Sequence, residues 1–168
     1  MPMKNLLIID GYNVIGRNPV LREKISSSLE GARTALAHVV SAWQRAHGDT
    51  DCLIVFDGRD FAGGRSSTTI GGVRCLFTRT KVEADDEIIR VVRESSTAGS
   101  GITVVSDDNY VGNNCRAHGA SVQPASFFEQ AQTKRAAKQS RKSGAVEKTL
   151  DRKAMSDINK EQRQRFGL

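Results

Sequence analysis

Leu6-Leu7-Ile8-Ile9-Asp10-Gly11 decides the fold. A continuous apolar run of this length has no polar face, which suits a strand covered on both sides, as in a parallel sheet. The run stops at Asp10-Gly11. Cys52–Phe56 repeats the pattern and stops at Asp57-Gly58. Val73–Phe77 reads as a third strand. Ile102–Val105 reads as a fourth and stops at Ser106-Asp107-Asp108, and Ala120–Val122 is a short fifth. Helical stretches lie between them. Ser27 and Glu30 form a capping box, and the helix it opens carries Leu29, Ala32, Leu36, Val39, Val40 and Trp43 on one face. That helix ends near His47-Gly48, where Gly takes the left-handed conformation. Ala84–Glu94 is expected to be helical with Ile88, Val91 and Val92 inward, and Tyr110–Ala117 forms a further helix. Ser126 and Glu129 form a second capping box at the head of a last helix. Residues 59–72, rich in Gly, Ser, Thr and Arg, read as a loop. Strands alternating with helices predict an α/β fold with a mainly parallel sheet.

At 168 residues the chain suits one compact domain plus an extension. Aromatic residues are only 5% of it, so the core is expected to be aliphatic. No apolar run is long enough to span a membrane. No signal-peptide pattern precedes the first strand, and a cytoplasmic location is expected. Cys52, Cys75 and Cys115 are odd in number and contain no Cys-x-x-Cys pair, which argues against a disulfide framework or a zinc site. The formal charge of +6 is unevenly placed. Residues 1–131 carry 14 Lys and Arg against 15 Asp and Glu, a net of −1, whereas residues 132–168 carry 11 against 4, a net of +7. We therefore divide the chain into a body, 1–131, and a basic extension, 132–168. Such an arm on a near-neutral body fits a polyanion such as RNA, or serves only as a solvated tail.

The chemistry lies in the acidic residues. Three strands end in Asp10, Asp57 and Asp107, and Asp85-Asp86-Glu87 opens the helix after the third strand. In a parallel sheet the carboxyl ends of the strands share one edge, which is where ligands bind. Asp10, Asp57, Asp85 and Asp107 are therefore expected to converge. Converging carboxylates repel one another, and a divalent cation relieves the repulsion. Oxygen ligands without His or Cys suit Mg²⁺ or Mn²⁺, which assist in-line attack on phosphorus. Individually, each Asp has a plain alternative as a helix N-cap or turn former. Asp86 and Asp108 support their neighbours or cap helices. Asn13 either fixes a carboxylate or contacts phosphate, or is simply a turn residue.

Leu6–Ile15 resembles the opening motif of NYN domains, a branch of the PIN-like nuclease superfamily. Val55-Phe56-Asp57-Gly58, Ala84–Ile89 and Val104–Asp108 are similar to the later motifs in the right order, and the whole most resembles the YacP-like bacterial branch over about residues 4–130. The resemblance implies a PIN-like three-layer α/β/α fold and a metal-dependent endoribonuclease of bacterial RNA processing or decay. It implies metal ligation by Asp10, Asp85 and Asp107, with Asn13 and Asp57 at the site. Asp86 beside Asp85 leaves open which of the two touches metal.

RNA contacts are expected from Arg59 and Arg65, on a mobile flap or a plain surface loop. Arg79 and Lys81 either hold the scissile strand or balance Asp85 and Asp86. Lys134, Arg135, Lys138, Arg141 and Lys142 supply a nonspecific grip. Tyr12 and Tyr110 each flank a site Asp, with packing expected over base stacking. The rival reading is a non-catalytic RNA- or ribosome-binding module of the same fold. A phosphate-accepting receiver domain is more distant, because receivers need an acidic pair after the first strand and here Asp10 stands alone. The oligomeric state is not legible in the sequence.

Overall fold

Alternating side chains of one short strand feed both cores of the molecule. In the computed structural model, β1 (Asn5–Asp10) turns Leu7 and Ile9 to one face of the sheet and Ile8 to the other, and all three are buried. The structure describes residues 4–57, 66–96, 101–131, 134 and 136–141. After β1 come α1 (Gly11–Arg17), α2 (Pro19–Ser27), α3 (Leu29–Ala46) and β2 (Thr50–Asp57). β3 (Ser66–Ile70), β4 (Val73–Thr78), α4 (Lys81–Ser96), β5 (Ile102–Val105), α5 (Asn109–Ala117) and β6 (Ser121–Gln123) follow. The sheet order is β3-β4-β2-β1-β5-β6. All pairs are parallel except β3 with β4.

One face of the sheet packs Leu7, Ile9, Ile54 and Phe56 against Val14, Leu21, Leu36 and Val40 of α1 to α3. The other packs Ile8, Val55 and Val104 against Ile88 and Val92 of α4 and Val111 and Cys115 of α5. This is the three-layer α/β/α architecture expected, and it makes every central strand apolar on both sides. Val91 is only partly buried, whereas Ile88 and Val92 are fully so. The three thiols are buried and free, and burial pushes each above the usual thiol range.

Three expectations need correction. Residues 59–72 are not all loop: Ser66–Ile70 is an edge strand paired antiparallel with β4. Gly71 and Gly72 turn the hairpin with φ of 57° and 85°, which a two-residue primed turn demands and side-chain-bearing residues resist. The cap of α3 is Ser28, not Ser27. Ser27 belongs to α2, and the extended Ser28 accepts a hydrogen bond from Gly31 N at 3.0 Å. Third, Asn13 sits within α1 rather than in a turn, and α1 and α2 fill a stretch that carried no helix expectation. Asn18 caps α2 by accepting from Leu21 N, with Pro19 in the first turn.

The backbone divides into two units, Met1–Glu129 and Gln130–Leu168. In the second, residues 134 and 136–141 are helical and exposed, Lys134, Lys138 and Arg141 among them. Arg59, Arg65, Arg135 and Lys142 lie outside the residues whose side chains are described. Among the described residues no helix is long and apolar enough to cross a membrane.

Candidate active site

The chain fills β1, β2 and β4 on one side, then crosses to β5 and β6 on the other. The crevice beyond the ends of β1 and β5 is the switch point where open α/β sheets bind ligands. Asp10 closes β1 there. Gly11 must follow it, because a Cβ at that position would land on the Phe56 ring and 3.0 Å from the Val55 carbonyl oxygen.

Asp10 is half-buried, and its carboxyl is pushed up to about 6, first by desolvation and then by the charges of Asp85 and Asp108. Two donors oppose the rise. Ser106 Oγ donates to Asp10 Oδ2 at 2.8 Å, and the Asn13 backbone N–H also donates to this carboxyl. Ser106 is itself buried and accepts from Asp108 N at 3.1 Å, so one hydroxyl ties the β1 carboxylate to the turn after β5.

Asp85, in the first turns of α4, is raised by desolvation and by Asp108, Asp86 and Asp57, with Lys81 opposing. Asp108 caps α5 by accepting from Val111 N at 3.1 Å and pairs with Lys81 Nζ at 3.5 Å. Those partners hold it below the usual carboxylate range, the Val111 N–H foremost. Asp10, Asp85 and Asp108 thus act on one another, and Asp57 acts on Asp85. Asp86 is exposed and accepts from Tyr110 OH at 3.5 Å.

Asp107 faces the other way. Its carboxylate accepts from Ala125 N at 3.0 Å and pairs with Arg17 Nε at 3.4 Å, while its backbone N–H donates to Asn13 Oδ1 at 2.9 Å. The turn after β5 therefore sends Asp107 toward α1 and Asp108 toward α4. Arg79 pairs with Glu83 at 3.2 Å, and only Lys81 reaches the acidic group. Tyr12 packs on the Phe56 ring at 5.2 Å and accepts from Arg33 Nε, as expected of a packing residue. Tyr110, by contrast, is 56% exposed.

The donor set for a cation is all carboxylate, which fits Mg²⁺ or Mn²⁺ in kind. Among the described residues no three His, Cys, Asp or Glu side chains stand close enough to hold one ion as positioned. Ser106 and Arg17 carried no sequence expectation. A hydroxyl between a strand end and an acidic pair was the available signal for the first; nothing short of the α1 helix itself signals the second.

The sequence pattern described as "YacP-like NYN domain" matches residues 7–167. The match runs through the basic extension, so the resemblance does not stop near residue 130. A protein from Bacillus subtilis (strain 168), described as uncharacterized protein YacP, is 29% identical over 104 residues, which are 62% of this chain and 61% of that one. The chain thus matches about three-fifths of that relative's length. Two crystal structures of Rae1 (YacP) from Bacillus subtilis are similar. A Trp-to-Leu mutant gives a TM-score of 0.62 at 24% identity, covering 81% of this chain and 83% of that one. The other gives 0.57 at 23%, covering 95% of each.

Proposed function

This chain belongs to the YacP-like NYN domain family, and on that premise we propose that it is a metal-dependent endoribonuclease hydrolysing RNA phosphodiester bonds in bacterial RNA processing or decay. The family is nuclease-like and PIN-like, and the fold here is that of its solved relatives. The observation that carries the reading is the place of Asp10: a half-buried carboxyl at the sheet's switch point, held by Ser106 Oγ and the Asn13 N–H, and raised first by desolvation and then by the charges of Asp85 and Asp108. A perturbed carboxylate in a crevice, opposed by charges from separate elements, marks a functional site more often than a structural one.

Their action on one another favours Asp10, Asp85 and Asp108 as the residues that would draw together around Mg²⁺ or Mn²⁺, with Asp107 in a different role from the one the family resemblance implies. Bound there, the ion supplies charge neutralisation to the carboxylates and to the phosphate oxygens as negative charge builds on them. Ser106 holds the rotamer of Asp10 through its donated hydrogen bond, and the Asn13 N–H fixes the same carboxyl from the α1 side. Lys81 offsets part of the charge of Asp85 and Asp108. Asp57 and Asp86 lie at the margin of the group. Lys134, Lys138 and Arg141 hold the RNA backbone from the extension, as point charges without sequence preference.

The test is cleavage of end-labelled RNA by the purified chain in Mn²⁺ and in EDTA, beside Asp10→Ala. Cutting in Mn²⁺ alone, lost in the variant, is the expected result. The extension's +7 charge would equally serve a non-catalytic RNA- or ribosome-binding module. Intact RNA retained by the protein under both conditions would establish that reading instead.

A further inference from the structure

Beside the acidic group, α1 and the start of α2 line an open cleft of about 410 Å³ with Tyr12, Asn13, Gly16, Arg17 and Arg22. No carboxylate is among the lining residues. Arg22 is exposed, and its guanidinium has no ion-pair partner among the described residues. Arg17 meets Asp107 through Nε at 3.4 Å, with its side chain 67% exposed, so the fork at its end is left for another acceptor. Tyr12 forms a fixed wall, its hydroxyl engaged by Arg33 and its ring against Phe56. Gly16 keeps the floor open, since a Cβ there meets nothing within 4 Å.

Asn13 joins this cleft to the acidic group. Its side chain lines the cleft and accepts from Asp107 N, while its backbone N–H donates to Asp10. Two guanidinium groups, an amide and an aromatic wall, with Asp107 engaging only Arg17 Nε, form a receptor for anionic oxygens. Through Asn13 the cleft adjoins the Asp10 carboxyl. We propose that the cleft is a phosphate subsite for single-stranded RNA flanking the bond to be cut, with Arg17 and Arg22 gripping the backbone and Asp107 positioning Arg17. The inference rests on reading the acidic edge as the place where RNA is cleaved.

The experiment measures binding of a short fluorescent single-stranded oligoribonucleotide to the full chain in EDTA, across a NaCl series. Arg17→Gln with Arg22→Gln should raise Kd about tenfold or more. It should also make the slope of log K against log salt shallower by about 1.4, from two lost contacts at about 0.7 each on a single strand. Gly16→Glu, which places a carboxylate in open space inside the cleft, should weaken binding in the same direction while leaving both arginines. Arg93→Gln with Arg116→Gln removes the same charge from the last turns of α4 and α5, away from the acidic edge, and should leave Kd and slope near those of the parent. Parent-like binding by the cleft variants, or an equal loss in the Arg93/Arg116 control, overturns the subsite. Cleavage in Mn²⁺ is scored separately on the parent chain. Loss of binding in the cleft variants beside a parent that never cuts would keep the cleft as an RNA-backbone site but sink the nuclease reading, and with it the cleft's place beside a scissile bond. Cutting by the parent with unaffected binding in the variants would do the reverse.

Discussion

Asp107 and Asp108 are neighbours in the chain and turn to different elements, Asp107 to α1 and Asp108 to α4. On the α1 side, Asp107 has an N–H donor and a guanidinium for its carboxylate, and a side-chain amide accepts from its own backbone. On the α4 side, Asp108 caps α5 and meets Lys81, yet its charge still presses on Asp10 and Asp85. Each carboxylate has one N–H donor and one exposed cation, Arg17 for Asp107 and Lys81 for Asp108. What differs is the neighbourhood: Asp108 stands where its charge acts on Asp10 and Asp85. A strand-end acidic pair is therefore two sites rather than one reinforced site, and on the reading proposed above the α4 side is the one that would take a cation.

The largest expected effect sets the two against each other in RNA cleavage. Asp108→Asn keeps a good helix cap but removes the charge facing Asp10, and should lower the Mn²⁺-dependent rate about 100-fold. Asp107→Asn should cost less than about tenfold, with the change in Kd rather than in the maximal rate. The opposite ranking would return Asp107 to the ligand role that the family resemblance implies.

The next effect is on stability and has a definite sign. The folded carboxyl of Asp10 sits near 6 against an ordinary 3.8. Its contribution to folding is therefore fully present below about pH 3.8 and is lost as pH rises through about 6. Above that pH the ionised group costs up to about 3 kcal/mol, from roughly two pKa units. In EDTA, Asp10→Asn should stabilise the protein by about 1–3 kcal/mol at pH 8 and by nearly nothing at pH 3.5, read from urea midpoints. Equal midpoints at pH 8 would mean that the neighbourhood of Asp10 does not disfavour its charge. Gly11→Ala carries a change of no larger size and of the opposite sign. Its methyl group must displace the Phe56 ring, which should cost about 1–3 kcal/mol by overpacking, and it should disturb Asp10 more than Asp107. A parent-like urea midpoint would show that the ring yields freely.

These comparisons rest on features that the sequence disclosed unevenly. β1, β2, β4 and β5 were legible because burial on both faces forces unbroken apolar runs. α3, α4 and α5 were legible because each buries one stripe. α2 was not, since Leu21 is its one fully buried residue and so little periodicity is written into it. Asn18-Pro19 was the available signal. β3 reads as loop because its Ser and Thr side chains face solvent, and pairing with β4 rather than burial makes it a strand. Thr68-Thr69-Ile70 before Gly71-Gly72 was the overlooked hairpin mark. Carboxylates at strand ends were readable one by one. Which of Asp107 and Asp108 faces Asp10 depends on the backbone path of one turn, and residue spacing does not encode that.

The central claim is that Asp10, Asp85 and Asp108, rather than Asp107, share a cation. Titrating Mn²⁺ into the full chain and following the free-ion signal by electron paramagnetic resonance tests it most directly. The parent and Asp107→Asn should take up Mn²⁺ with affinities within a few-fold of each other, while Asp10→Asn, Asp85→Asn and Asp108→Asn each weaken uptake about tenfold or more. No uptake by the parent, or a loss confined to Asp107→Asn, would contradict the account.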